Sequence, residues 1–208
     1  MQTALGFPQS LTETYKPQRI ADFVGLEKQR KILSKLAENP SPRNLLFVGA
    51  PGTGKTSMAY AFARQIGAEI HHIGSQEATV ENVKEVVRMC QYVPLTGGMH
   101  VVIMDEADRM SSATQLYLLS KLDGTEPCPN TIWILTANST ESLQERFTSR
   151  CLALPEFNSY GAGKDIRALL TRIWQEQAGG SPIPDMKSVP TSNVREALSW
   201  LEVELLAA

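Results

Sequence analysis

Residues 45–56 read Leu45-Leu46-Phe47-Val48-Gly49-Ala50-Pro51-Gly52-Thr53-Gly54-Lys55-Thr56, a short apolar run that ends in a glycine-rich loop. The loop matches the phosphate-binding pattern G-x-x-x-x-G-K-[ST] at each fixed position. Because glycine has no Cβ, its backbone N–H groups can turn inward and surround a triphosphate. The predicted nucleotide-binding residues are Gly49, Ala50, Pro51, Gly52, Thr53, Gly54, Lys55, Thr56 and Ser57.

Two side chains of this phosphate loop carry specific chemistry. We expect Lys55 to contact the β and γ phosphates and the Thr56 hydroxyl to bind Mg²⁺. The run that follows predicts a helix from Lys55 to Gln65, whose positive N-terminal end would face the phosphates. A glycine-rich turn can match the pattern by chance, but this loop follows a buried-strand pattern and precedes a helical run, as the motif requires.

Length and composition bound the class of protein. The chain has 208 residues, of which 42% are hydrophobic and 20% charged, so we expect one globular domain with, at most, a small appendage. The net charge of −2 gives no overall basic field for nucleic acid, although a local patch would suffice to bind DNA.

Cysteine usage and the absence of targeting patterns bear on the compartment. Cys90, Cys128 and Cys151 form no C-x-x-C pair, so the sequence signals neither a disulfide framework nor a zinc site. Residues 1–6 lack the features of a secretion signal, and no apolar run approaches about 20 residues, the length of a membrane span. We therefore predict a cytoplasmic protein that has no membrane partner.

Apolar runs alternate with helical patterns along most of the chain. The runs predict strands at 45–48, 69–73, 100–105, 131–136 and 151–154, and the intervening patterns predict helices at 27–38, 55–65, 77–92, 111–122 and 141–147. Continuous apolar strands that alternate with helices indicate an α/β fold with a parallel sheet covered on both faces. Further helices are predicted at 165–177 and 194–206, in a small helical appendage that begins near residue 157.

The strand at 100–105 ends in an acidic pair, Asp105-Glu106. A carboxylate at this place can hold Mg²⁺ and the next one can polarise the attacking water, so we assign Asp105 to the metal and Glu106 to the water. Two acidic residues can also cap the next helix. The spacing from Lys55 leaves room for parallel crossovers that would bring both motifs to the carboxyl ends of strands, where α/β sites lie.

Three further polar residues are weaker candidates from the residues alone. Asn138 follows the strand at 131–136, where its amide could contact a γ-phosphate or simply favour a turn. Arg146 and Arg150 flank the last short helix, where an arginine could act on phosphate across a subunit interface or be an ordinary solvated helix-end residue.

Together these motifs resemble the AAA+ ATPases, and within them the clamp-loader clade, which includes the small subunits of replication factor C and bacterial counterparts. The resemblance covers roughly residues 12–157. It rests on the phosphate loop, Asp105-Glu106-Ala107-Asp108, Thr136-Ala137-Asn138 and Ser149-Arg150-Cys151, and on the N-terminal segment with Tyr15-Lys16-Pro17 and Phe23-Val24-Gly25. It implies a P-loop NTPase fold with a five-stranded parallel sheet sandwiched by helices in residues 1–156. Residues 157–208 would form a shortened helical lid.

The resemblance also implies roles for single residues. Asn138 becomes the sensor 1 residue, and Arg150 becomes an arginine finger that acts on ATP held by a neighbouring subunit. Residues 193–198 resemble the sensor 2 helix, in which Arg195 reaches the subunit's own phosphates. The adenine would pack against residues of the N-terminal segment, namely Tyr15, Pro17, Val24 and Gly25. The implied cofactors are ATP and Mg²⁺, and the implied partners are other AAA+ subunits, DNA contacted through its phosphates, and a sliding clamp.

The sequence departs from the clamp-loader pattern in two places, and these keep alternatives open. Ser192-Asn193 stands where the family has Gly-Asp, and the proline-containing run 181–190 replaces the middle of the lid. No counterpart of the family's helical collar occurs within the 208 residues. Beside an ATPase that acts in an oligomer on DNA in replication, the alternatives are a nucleotide-gated binding module with slow turnover and an AAA+ remodeller. Tyr92 is the only aromatic residue between Ile73 and His100, which weighs against a remodeller with an aromatic pore loop.

Overall fold

A five-stranded sheet forms the centre of the computed structural model, which describes residues 9–95, 97–124 and 128–208. Its strands are β1 (Arg43–Val48), β2 (Glu69–Ile73), β3 (His100–Met104), β4 (Thr131–Ala137) and β5 (Leu152–Ala153). They lie in the order β2-β3-β4-β1-β5, and every pair is parallel. The fold class predicted from the apolar runs is therefore confirmed.

Helices precede, connect and follow these strands, and helices pack on both faces of the sheet. They are α1 (Leu11–Thr14), α2 (Glu27–Glu38), α3 (Lys55–Gln65), α4 (Val80–Met89), α5 (Ser112–Leu122), α6 (Glu145–Thr148), α7 (Gly163–Gln177) and α8 (Val194–Ala207), with short 3₁₀ turns between some of them. The predicted bounds of α2, α3 and β2 agree with the structure.

Helices α4 and α6 are shorter than the hydrophobic pattern predicts, and local hydrogen bonds explain why. Helix α4 begins after Thr79, whose side chain accepts a hydrogen bond from the Asn82 N–H at 3.3 Å and so caps the helix. Helix α6 begins after Gln144, whose backbone is extended. The Gln144 N–H donates to Oε1 of Gln115 at 3.0 Å instead of to a carbonyl oxygen of an earlier helical turn.

The core lies on both faces of the sheet. Every residue of β3 and β4 is buried, and alternate residues along them face opposite sides. On one side, Val102 packs with residues of α4 and α5; on the other, Ile103 packs with residues of α2 and α3. Burial on both sides is the physical reason for the uninterrupted apolar runs in the sequence.

A third hydrophobic cluster joins the C-terminal helices to the N-terminal segment. It contains Ile166 and Leu170 of α7, Leu198 and Leu201 of α8, and Leu11 of α1. The boundary between residues 156 and 157 stays a prediction. The turn-rich N-terminal segment contains α1, which Ser10 caps, and the interpretation of residues 1–6 lies outside the described residues.

The three cysteines are free thiols, and two of them lie in strongly desolvated surroundings. Burial raises the pKa of Cys90 and of Cys151 to about 12, so both thiols keep their protons at neutral pH. Among the described residues, no helix is long and apolar enough to cross a membrane.

Candidate nucleotide site

The phosphate loop follows β1 at the carboxyl edge of the sheet, where its residues lie beside Asp105 after β3, Asn138 after β4 and Asn193 before α8. Gly52 and Gly54 have φ values of 77° and 93°, a conformation that residues with a Cβ rarely adopt. Gly49 is required for another reason, because a Cβ there would lie 2.1 Å from the Phe157 carbonyl oxygen. The loop is thus held in a shape that only its glycines permit.

Lys55 is buried at the centre of this loop, with 8% of its surface exposed. Its Nζ donates three hydrogen bonds, to the carbonyl oxygens of Gly49 at 2.7 Å and Ala50 at 2.9 Å and to Oδ1 of Asn138 at 3.0 Å. Burial lowers the pKa of Lys55 below its ordinary value, and the negative charges of Asp105 and Asp108 act in the opposite direction. These three hydrogen bonds therefore fix the position of the Lys55 ammonium within the phosphate loop.

Asn138 is joined to the site by the hydrogen bond from Lys55. It follows β4, the neighbour of β1 in the sheet, and so lies beside the loop that leaves β1. This contact brings Asn138 to the phosphate loop, and its role in the chemistry stays a prediction.

Asp105 connects the loop to β3 and β4. Its Oδ1 accepts hydrogen bonds from the hydroxyls of Thr56 at 2.6 Å and of Thr136 at 2.5 Å. The Thr136 hydroxyl in turn accepts a hydrogen bond from the backbone N–H of Glu106 at 3.1 Å. One threonine therefore fixes both members of the acidic pair.

Glu106 adopts a left-handed backbone conformation, with φ of 51°. Such a conformation is uncommon for a residue with a side chain and is concentrated at functional sites. The Glu106 carboxylate forms an ion pair with Arg109 at 3.2 Å, and both side chains are partly exposed to solvent. The carboxylate is thus accessible at the edge of the site.

A cavity of about 400 Å³ opens beside the loop. Tyr15, Pro17 and Val24 line it, as the family resemblance implies for an adenine pocket, together with Phe23 and Leu198. The Tyr15 hydroxyl donates to Oε2 of Glu176 at 2.9 Å, which ties the N-terminal segment to α7. Burial of this hydroxyl is the main reason that the pKa of Tyr15 is raised.

Gly25 lies next to the cavity-lining Val24. Its φ is 65°, and a Cβ there would lie 2.9 Å from the Ala162 side chain. Gly25 therefore provides close packing between the N-terminal segment and the residues before α7.

Helix α8 approaches the phosphate loop through its first turn. The Asn193 side chain accepts from the Glu196 N–H at 2.9 Å and so caps the helix, and a Cβ on Gly52 would lie 2.7 Å from the same Asn193 oxygen. Arg195 lines the cavity, and its charge adds to the effect of burial in lowering the pKa of Lys55. Asn193, which departs from the family pattern, thus caps α8 and lies against the phosphate loop at Gly52.

Arg150 does not line the cavity beside the phosphate loop. It follows α6, its Nε is 3.5 Å from an Asp123 carboxylate oxygen, and its carbonyl oxygen accepts from Nδ2 of Asn44 at 2.9 Å. The guanidinium also donates to the carbonyl oxygen of Arg146. The structure therefore does not bring Arg150 to the cavity of its own chain.

The residues at the loop fit a magnesium nucleotide. Thr56 and Asp105 present two hard oxygen atoms 2.6 Å apart, and Mg²⁺ is commonly held by one or two such groups together with phosphates and waters. The Asp108 Oδ1 is buried without a hydrogen-bond partner, which leaves an acceptor for a proton donor at this edge of the site.

Two residues of the site, Thr136 and Asn193, had no role predicted from the residues alone. Thr136 lies in an apolar strand, and only the parallel pairing of β3 with β4 places its hydroxyl beside Asp105. Asn193 carries a recognisable signal, since an asparagine directly before a helical pattern predicts a cap, but its contact with Gly52 depends on the fold.

The sequence pattern of the ATPase family associated with various cellular activities (AAA) matches residues 45–158, which is more than half of the chain. The chain belongs to this family. The match spans the phosphate loop, the acidic pair, Asn138 and Arg150. The clamp-loader resemblance is also supported by curated relatives: the chain is 29% identical over 211 residues to replication factor C subunit 2 of Arabidopsis thaliana and 31% identical over 160 residues to replication factor C subunit 4 of Homo sapiens.

These relatives are longer than this chain. The aligned regions cover 96% of this chain and 62% of the Arabidopsis protein, and 69% of this chain and 44% of the human protein. Among solved structures, a Thermotoga maritima RuvB variant superposes with a TM-score of 0.76 at 19% identity, covering 93% of this chain and 68% of that one. At that identity, the RuvB likeness supports the fold alone.

Proposed function

We propose that this AAA ATPase binds ATP with Mg²⁺ in the cavity beside its phosphate loop and hydrolyses it. The observation that carries the proposal is the convergence of Lys55, Asn138, Thr56 and Asp105 within hydrogen-bond distance at the carboxyl ends of β1, β3 and β4. These are the groups needed to hold phosphate oxygens and a metal. Bound Mg²⁺ supplies the charge that neutralises the phosphates during transfer.

Each residue then has a defined task. Lys55 and the N–H groups of residues 49–57 bind the phosphates, and Thr56 and Asp105 hold the metal. Glu106 accepts a proton from the attacking water, and its left-handed backbone and the hydrogen bond to Thr136 keep it in place. Asn138 orients the γ-phosphate or the water, while Tyr15, Pro17, Val24 and Gly25 form or support the wall against the base.

The two arginines that the family resemblance singles out act from different chains in this proposal. Arg195 reaches the phosphates of its own chain, which its place in the cavity wall supports. Arg150 reaches ATP held by a neighbouring subunit. This part of the proposal is supported by its position, because Arg150 contacts α6 and Asp123 and does not line the cavity of its own chain. Partly exposed ion pairs contribute less than about 1 kcal/mol to stability, so breaking the pair between Arg150 and Asp123 costs little free energy.

We further propose that the chain acts on DNA in replication within a hetero- or homo-oligomer of AAA+ subunits, with a sliding clamp as a protein partner. The likeness to replication factor C subunits supports this. DNA would be contacted through its phosphates, without base-specific readout. The alternative is a nucleotide-gated binding module with slow turnover. Cytoplasmic location stays a prediction.

An ATPase titration separates these functions. The rate per chain is measured over a range of protein concentrations, with and without primed DNA. The proposal predicts a rate that rises with concentration or with DNA, and a flat rate near zero under all conditions favours the binding module instead. ATP binding is measured in parallel, because a wild-type chain that does not bind ATP would contradict both.

A further inference from the structure

A second group of polar side chains lies near the start of β3, at the end of the sheet away from the phosphate loop. His71, Cys90 and His100 bring one nitrogen or sulfur atom each to within 4.8 Å of the other two. Cys90 and His100 are almost completely buried, and His71 is partly exposed. Two imidazoles and a thiol that converge in this way have no role in the nucleotide site.

The fold brings these residues together from three separate segments. His71 lies in β2 and His100 is the first residue of β3, and the parallel register pairs His71 with Val102. Because alternate residues of a strand share a face, His71 and His100 lie diagonally on the same face of the sheet. Cys90 directly follows α4, which packs against that face through Val83 and Val87.

The hydrogen bonds of His100 leave one of its nitrogens ready to bind a metal. Its Nε2 lies 2.9 Å from the Tyr92 carbonyl oxygen and, because a carbonyl only accepts, must donate to it. The other nitrogen, Nδ1, then carries a lone pair and faces His71 Nε2 at 3.0 Å. A backbone carbonyl that orients the second nitrogen is a common feature of metal-binding histidines.

We propose that His71 Nε2, Cys90 Sγ and His100 Nδ1 bind a zinc ion. A thiolate and two neutral imidazoles are a ligand set that zinc prefers in proteins. In a tetrahedral site with usual zinc–nitrogen bonds, two ligating nitrogens stand about 3.3 Å apart. The separation of these two nitrogens here is 3.0 Å, close to that value, and the Cys90 sulfur lies within 4.8 Å of both. Because His71 is partly exposed, we assign the fourth position of the proposed site to a water molecule.

The ligands are far apart in the sequence, which explains why no zinc pattern was predicted from it. Cys90 has no neighbouring cysteine or histidine, and only the register of β2 with β3 and the position of α4 bring the three side chains together. The proposal therefore goes beyond the sequence pattern, in which the missing C-x-x-C pair signals no zinc.

Zinc at this place joins the end of α4 to β2 and β3. His100 begins β3 and Asp105 follows its last residue, so the two sites lie about 16 Å apart along the strand. The ion therefore supports the structure and does not take part in nucleotide chemistry. On binding, the Cys90 thiol releases its proton to solvent and coordinates as the thiolate, and His71 carries its ring proton on Nδ1 so that Nε2 can coordinate. The competing interpretation is a metal-free core in which His71 simply donates to His100.

Cobalt(II) provides the direct test, because it takes the place of zinc and reports a thiolate ligand by a charge-transfer absorption band. The full chain is stripped with a chelator and titrated with cobalt(II) chloride, and we expect the band to saturate at one ion per chain and to be displaced by zinc. Cys90→Ser should abolish the band, and His71→Ala should weaken cobalt binding at least about tenfold. The matched controls Cys151→Ser and His72→Ala should keep both band and affinity.

A stability measurement covers variants that fail to fold. Added zinc should raise the Tm of the chelator-treated wild-type chain, because an ion that binds only the folded state stabilises it. The proposal is overturned if the wild-type chain shows neither the cobalt band nor a rise in Tm with zinc. It is also overturned if folded Cys90→Ser retains the band unchanged.

Discussion

The cavity beside the phosphate loop and the surface around Arg150, after α6, differ in whether one chain supplies all the groups that each proposed role needs. Around the cavity, one chain brings together Lys55, the proposed metal ligands Thr56 and Asp105, Asn138 and Arg195. After α6, the Arg150 guanidinium contacts Asp123 and the carbonyl oxygen of Arg146, which are not phosphate-binding groups. In the proposed function, one chain therefore supplies the groups that bind the nucleotide, whereas the proposed arginine finger can act only on a nucleotide that a second chain holds.

The largest effect is expected from Lys55→Ala. The change removes three hydrogen bonds made by a charged group at the centre of the loop. In the proposed complex the same ammonium donates to the β and γ phosphates. Since a hydrogen bond to a charged group contributes about 1.5–3 kcal/mol, loss of these two bonds should lower ATP affinity about 100-fold or more and abolish hydrolysis. Calorimetric titration with ATP measures this. Lys28→Ala on the surface of α2 serves as the control, and wild-type affinity in Lys55→Ala would remove the lysine from the site.

Arg150→Ala should leave ATP binding intact and abolish the concentration-dependent part of the rate. An arginine finger contributes about 10³-fold or more to turnover, so the loss should be of that order. The readout is the ATPase rate at high chain concentration. Arg146→Ala, which removes a neighbouring guanidinium at the same helix, should behave as the wild type. Reduced ATP affinity in Arg150→Ala would instead place this arginine in its own chain's site.

Glu106→Gln should retain ATP and turn over slowly. The amide cannot accept the proton of the attacking water, and loss of a general base costs about 100-fold or more in rate. Binding and single-turnover hydrolysis are measured on the same preparation, with Glu141→Gln as an exposed control. A normal rate in Glu106→Gln would show that another group activates the water.

Thr136→Val should have the smallest effect. The substitution keeps the shape of the side chain and removes the hydrogen bonds to Asp105 and to the Glu106 N–H. A net loss near 1 kcal/mol predicts about a fivefold lower kcat with ATP affinity nearly unchanged. Thr131→Val is a close control, since Thr131 is also a buried threonine of β4 with a hydrogen bond but lies at the other end of the strand. Equal kcat in the two variants would mean that Thr136 is only structural.

The fold and much of the cavity could be predicted because their signals are local in the sequence. The phosphate loop, α3 and the acidic pair are each contiguous, and the buried strands read as continuous apolar runs. What escaped prediction depends on how the strands pair. The bond from Thr136 to Asp105 requires β3 beside β4, and the meeting of His71, Cys90 and His100 requires the register of β2 with β3 and the packing of α4.

Mixing two inactive variants tests the central claim of a shared site most directly. Glu106→Gln chains retain Arg150, and Arg150→Ala chains retain Glu106, so a contact between the two kinds of chain can form one complete site. Each variant alone should hydrolyse ATP at the background rate, while the mixture should recover a measurable fraction of the wild-type rate that grows with total concentration. A mixture that stays at background, when the wild-type chain is active at the same concentration, would contradict the account.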